Sequence, residues 1–217
     1  MLLRCFIRSL IVHTCPSNSA KGLLRKKQKM TKYLTVTETA KLIRVALKEA
    51  FPGIKFSVKS SSYSGGASID VSYKDGPTNA QVKSIVSRFE GAYFDGMTDY
   101  KGYKYNQFNG EEVSFGANFI FVRRDLSVGL LQLAVDKVFQ EYGLTNDYKI
   151  VEGYNGAYVQ LDNNQQIGNG YYYIDQKINL TTEEISYCAT VESITANKVV
   201  SLGDDGYGYG AVGRLAA

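Results

Sequence analysis

The sequence predicts an α+β fold: about three helices on one face of a mostly antiparallel sheet, followed by a small β-rich C-terminal unit. Three observations carry this. Thr35 with Glu38 and Thr78 with Gln81 have capping-box spacing, and each pair heads an apolar run of helical period. Ala67, Ile69, Val71 and Tyr73 alternate with Ser68, Asp70, Ser72 and Lys74, the pattern of a strand with one wet face. Beyond Asn146, short β-type runs are joined by Asn/Gly/Gln turns.

The elements follow in order. Val36, Ala40, Ile43, Leu47 and Ala50 predict a first helix, stopped by Phe51-Pro52-Gly53. Phe56 and Val58 open a strand that leads through a polar hairpin connection, Ser60–Gly66, into the strand Ala67–Tyr73. After the turn Asp75-Gly76-Pro77, Val82, Ile85, Val86 and Phe89 place apolar residues on one face of a second helix. Gly91–Gly110 reads as an irregular, aromatic-rich connection. Phe115, Ala117, Phe119 and Phe121 alternate as a strand, and a third helix runs from about Ser127 to Tyr142, closed by Gly143. Three further β runs are expected at Tyr148–Glu152, Ala157–Leu161 and Tyr171–Gln176, with a short helix near Thr182–Cys188. The expected organisation is a basic leader (1–29), an α+β domain (30–146), a small β unit (147–202) and a Gly/Tyr tail (203–217) that holds no regular structure unaided.

Charge is unevenly distributed. Eight of the 25 basic residues lie within Met1–Lys32, where no acidic residue occurs, which leaves 17 basic against 21 acidic residues and a net of −4 beyond it. A mildly acidic body argues against general affinity for duplex DNA. The leader admits three readings: an organelle targeting peptide, a basic arm, or translated sequence upstream of a start at Met30. As a secretion signal it is poor, because Arg8 interrupts the apolar run Cys5–Val12. No stretch approaches the ~20 apolar residues of a membrane span.

Past Lys32 there is no histidine, and Cys188 is the one cysteine. This removes the side chain best suited to proton transfer near neutral pH. It leaves a single thiol, which fits a reducing compartment. Cys188 has no basic neighbour in sequence to lower its pKa, so a buried apolar thiol is expected.

The segment from about Tyr33 to Ser127 resembles the large polyvalent protein-associated domain numbered twenty-nine. The resemblance is carried by Thr35–Arg44, Phe51–Val58, Ser61-Ser62-Tyr63-Ser64-Gly65-Gly66-Ala67-Ser68-Ile69, Asp75–Thr78, Phe89–Asp99 and Gly110–Ala117. It implies a protein of a phage or plasmid, acting in the cytoplasm of a bacterial host, and it brings no catalytic residue set.

Two candidate binding segments stand out. Ser61, Ser62, Tyr63, Ser64 and Gly65 could present hydroxyls and backbone N–H groups to an anion, or form a solvated hairpin loop. Tyr100, Tyr103 and Tyr105, interleaved with Lys101 and Lys104, suit stacking on unpaired bases, a protein-binding surface, or simple packing on the sheet. Asp95, Asp99, Glu111 and Glu112 could gather a hard divalent cation or supply paired carboxylates, or could be solvated loop charges. The sequence favours recognition over chemistry: no catalytic residue, metal or cofactor is expected. The expected partner is a host defence protein or complex, such as a restriction or CRISPR system. Single-stranded nucleic acid is the second reading and a carboxylate enzyme the third. A homodimer remains open, and no membrane association is expected.

Overall fold

The computed structural model describes residues 31–210 and Gly213, so the basic leader and the last residues of the tail lie outside the described part. The α+β class expected from the sequence is the class observed. The chain begins with β1 (Lys32–Leu34), α1 (Val36–Ala50), the hairpin β2 (Ser57–Tyr63) and β3 (Gly66–Lys74), then α2 (Asn79–Val86). A single 3-10 turn, Ser87–Phe89, leads into β4 (Ala92–Asp95), β5 (Tyr100–Phe108), β6 (Glu111–Phe115) and β7 (Phe119–Asp125). Then come α3 (Val128–Tyr142), β8 (Tyr148–Gly153), β9 (Gly156–Leu161), β10 (Gln166–Ile167) and β11 (Tyr172–Tyr173). The last elements are α4 (Ile174–Glu184), α5 (Ile194–Asn197) and β12 (Val199–Asp204).

Both capping boxes are closed. The Thr35 hydroxyl accepts from the Glu38 N–H at 3.3 Å while the Glu38 carboxylate accepts from the Thr35 N–H at 2.8 Å. Thr78 and Gln81 do the same for α2, at 3.2 and 2.8 Å. At α3 the Ser127 hydroxyl caps the Leu130 N–H, and Gly143 ends the helix in the left-handed region.

The strands build two main sheets. One has the order β2-β3-β7, with β3 and β7 parallel. The other has the order β1-β6-β5-β12, with β4 also on β5 and β1 parallel to β6. The mostly antiparallel sheet is thus two sheets, each with one parallel pair. Helices α1 and α2 close over a core of Ile43, Leu47, Ile69, Val82, Phe89 and Phe115, where the rings of Phe89 and Phe115 meet edge-on at 5.5 Å. The third helix does not join them. Leu131, Ala134, Val135 and Val138 of α3 instead form a second core with Ile174 and Ile178 of α4 and Ala157 of β9.

Three expectations are corrected. Residues Ser60–Tyr63 belong to β2, and the hairpin turns on Ser64 and Gly65 alone, Gly65 having φ 90°. Gly91–Gly110 is a β-hairpin, β4–β5, whose inward positions Gly102, Lys104 and Asn106 carry no apolar alternation to announce it. Tyr171–Gln176 is strand only at Tyr172–Tyr173; the helix begins at Ile174, earlier than expected, because Ile174 and Ile178 bury one turn apart. Late in the chain, Ala196 and Val199 enter the first core, and β12 pairs with β5 through Asp204.

Polar contacts join the two cores. Arg124, 7 % exposed, donates to the carbonyls of Asp75 (3.0 Å), Thr182 (2.8 Å), Gly76 (3.2 Å) and Ile185 (2.9 Å). Its fork thus ties the turn before α2 to the C-terminal end of α4, where carbonyls lack helical partners. Glu183 of α4 accepts from the Asn79 N–H and side-chain amide at the start of α2. Glu49 accepts from the Ser193 hydroxyl and from both the N–H and hydroxyl of Thr195, which fixes α5 on α1. The Thr195 N–H is the chief cause of a Glu49 carboxyl held below its ordinary range; burial opposes it, and the Ser193 and Thr195 hydroxyls assist.

Candidate functional site

The two candidate segments converge. Lys101 Nζ donates to the Gly65 carbonyl at 3.1 Å, so the tip of the β2–β3 hairpin sits beside the β4–β5 hairpin. In β5 the odd positions Lys101, Tyr103 and Tyr105 lie on one face and the even positions Tyr100, Gly102, Lys104 and Asn106 on the other. Tyr103 is 59 % exposed and Tyr105 is 36 % exposed. Phe94, opposite Lys101 in register, is also exposed, as are Met97 in the turn and Tyr63 at the neighbouring tip.

The tail lies at the Tyr100 end of the even face, against Tyr93 and Tyr100. Tyr93 stands opposite Gly102, and a Cβ built on Gly102 would lie 2.2 Å from the Tyr93 ring, so only glycine allows this close approach. Gly208 also approaches this ring: a Cβ there would be 2.7 Å from Tyr93. Asp205, just past the end of β12, gathers the hydroxyls of Tyr93 (2.7 Å) and Tyr100 (3.1 Å) and the N–H of Tyr103 (2.8 Å). The Asp95 carboxylate accepts from the N–H of Met97 at 2.9 Å and from that of Tyr209. Asp204 accepts from the Gly206 and Gly213 N–H groups, both at 2.9 Å. Three aspartates therefore strap a Gly/Tyr segment onto the hairpin, beside a pocket of about 440 Å³ lined by Tyr93, Phe94, Lys104 and Ser201 among others.

The electrostatics follow from these bonds. Burial disfavours the charged form of Asp205, but the Tyr93 hydroxyl, the Tyr103 N–H and the Tyr100 hydroxyl outweigh it and hold the carboxyl below its ordinary range. The same bond pushes the Tyr93 hydroxyl up to about 12, with burial adding to it. Asp95 is held low by the Tyr209 N–H first and the Met97 N–H second.

The ten residues singled out in the sequence divide. Tyr63, Tyr103 and Tyr105 present rings at this end. Lys101 holds the Gly65 carbonyl, and Lys104 pairs with Glu90 at 2.8 Å. Tyr100 is partly buried and held by Asp205. Ser61 and Ser62 lie in the paired strand β2 and Ser64 in its two-residue turn, the hairpin that was one of the two readings of this segment. Tyr93 and Phe94 belong to the aromatic cluster, Tyr93 to Phe108, that the sequence itself offers as a binding segment; Met97 and Asp205 are not marked there, and the density of Tyr and Gly in the tail is the one signal for Asp205. Asp95 and Asp99 sit at one end of β5 and Glu111 and Glu112 at the other, roughly 30 Å apart along a nine-residue strand. Among the described residues, no group of three or more His, Cys, Asp and Glu could hold a metal ion. Cys188 is partly buried, and burial pushes its thiol up, with Arg124 and Ser186 opposing.

Fold and site together define a two-core α+β protein with an exposed aromatic end built on a strapped hairpin. Residues 34–127 match the family described as large polyvalent protein associated domain 29, a domain associated with phage and plasmid proteins. The matched segment is the first core from β1 to the cap of α3, as the sequence resemblance anticipated; α5, β12 and the tail that complete that core lie outside it. No curated protein and no solved structure matches the chain. No described helix is long and apolar enough to cross a membrane.

Proposed function

We propose that this chain is a non-enzymatic binding protein of a phage or plasmid, which acts in the bacterial cytoplasm by covering a surface of a host defence protein. The observation that carries this reading is the concentration of exposed large side chains at one end: Tyr63, Phe94, Met97, Tyr103 and the tail's Tyr207. Rings held on paired strands lose little side-chain freedom on contact, which suits protein recognition. A few such anchors supply most of a docking energy. The match to a phage- and plasmid-associated domain supports the setting.

A specific observation weighs against the single-strand reading. Stacking on bases needs cations beside the rings, yet Lys101 is bonded to Gly65 and Lys104 to Glu90. The test is affinity capture from a bacterial host with the intact chain and with a Tyr103→Ala/Tyr105→Ala variant. Retention of one defence component by the first and its loss by the second supports the reading. Equal retention by both, or binding to single-stranded oligonucleotides with a steep salt dependence, overturns it.

A further inference from the structure

The structure assigns a second interface, which adjoins the aromatic end at Tyr63: the open edge of β2, which we propose pairs antiparallel with β2 of a second copy of this chain. Among the described strands, β2 is the outer one of its sheet, bonded to β3 alone. The two-residue turn makes Tyr63 and Gly66 a hydrogen-bonded pair, so Tyr63, Ser61 and Lys59 point their backbone groups at β3. Val58, Ser60 and Ser62 then point theirs outward. Arg44 confirms the direction, since its Nη2 reaches the outward Val58 carbonyl at 2.6 Å. Among the described residues, the outward backbone groups of Ser60 and Ser62 have no partner. Lys59–Tyr63 is also exposed throughout, so among the described residues no helix or loop shields this edge.

The sequence of the edge fits itself in one register. Placed antiparallel about a two-fold axis at Ser61, Ser60 of one copy faces Ser62 of the other, and each such pair exchanges both backbone bonds. Lys59 then faces Tyr63, a cation beside a ring, and no like charges oppose. A shift toward Val58 needs a carbonyl that Arg44 already holds; a shift toward Gly65 runs into the turn. Three consecutive serines are small enough for close approach and carry no charge to repel a copy. Within each copy Lys59 is opposite Asp70, which offsets its own charge. The result is one sheet continuous across both copies, closed by its own symmetry.

The test has two arms on the full chain. In the first, molar mass is followed by light scattering across a concentration series, for the parent and for Ser62→Pro. Proline there removes an outward N–H and leaves the β2–β3 ladder whole. In the second, Ser61→Cys and Ser60→Cys are mildly oxidised and the linkages mapped by peptide mass spectrometry. Facing residue-61 Cα atoms would lie about 4.5 Å apart, within disulfide reach, so S61C should link to itself about tenfold more readily than S60C. Dimerisation of the parent, its loss in S62P and a residue 61-to-61 linkage bear out the proposal. A monomer at every concentration, a dimer undiminished in S62P, or preferential linkage through S60C overturns it.

Discussion

The hydroxyl of Tyr93 donates to the carboxylate of Asp205 at 2.7 Å across 112 residues of chain. This bond joins a strand inside the family-matched segment to a tail outside it. The Tyr93 ring closely approaches both Gly102 and Gly208, so one side chain contacts both the hairpin and its cover.

The strap should open in acid. Asp205 and Asp95 both have carboxyls held below the ordinary range, so their contribution is fully present above that range and is lost as pH falls through the lowered values. Amide hydrogen exchange of Tyr207–Gly210, corrected for the intrinsic rate, should accelerate as pH drops below about 4. Asp205→Asn should accelerate it at neutral pH with no change in far-UV circular dichroism. Unchanged protection in the variant would show that Asp205 does not hold the tail.

Gly102→Ala should displace the Tyr93 ring, destabilising the protein by about 1–3 kcal/mol. The cost should shrink in a Tyr93→Ala background, where no ring meets the new methyl group. Urea unfolding of the four members of this cycle checks it, and additive effects would contradict the proposed contact.

Arg124→Ala should be among the most damaging single changes. It leaves carbonyls of Asp75, Gly76, Thr182 and Ile185 without their donor, at a cost of about 3 kcal/mol or more. Arg124→Lys should also destabilise, by about 1–3 kcal/mol, because an ammonium cannot reproduce the planar fork. Both are read as shifts in the urea midpoint.

Much of this architecture was legible in local sequence. The Thr35 and Thr78 boxes, the Ser127 to Gly143 helix and the β8–β9 hairpin all depend on contacts within a few residues, and the sequence displays those contacts. The β4–β5 hairpin was hidden because its inward face carries glycine, lysine and asparagine, each satisfied by a distant group: Tyr93, Glu90 and the Glu90 carbonyl. Helix α4 was hidden because three tyrosines ahead of Ile174 favour strand. Nothing local marks Asp205 or Arg124, whose roles exist only once β12 and α4 have returned to the first core. At the candidate site, Tyr103 and Tyr105 were identified from composition, whereas the strap behind them needed the fold.

The most direct test of recognition through the aromatic end is titration calorimetry with the captured host protein, comparing Tyr103→Ala with Tyr154→Ala. Tyr154 is fully exposed in the turn between β8 and β9, away from this end. Tyr103→Ala should weaken binding about 30-fold or more, the scale of a docking anchor, while Tyr154→Ala should leave it unchanged. Equal affinity for the Tyr103→Ala protein and the parent would contradict the account.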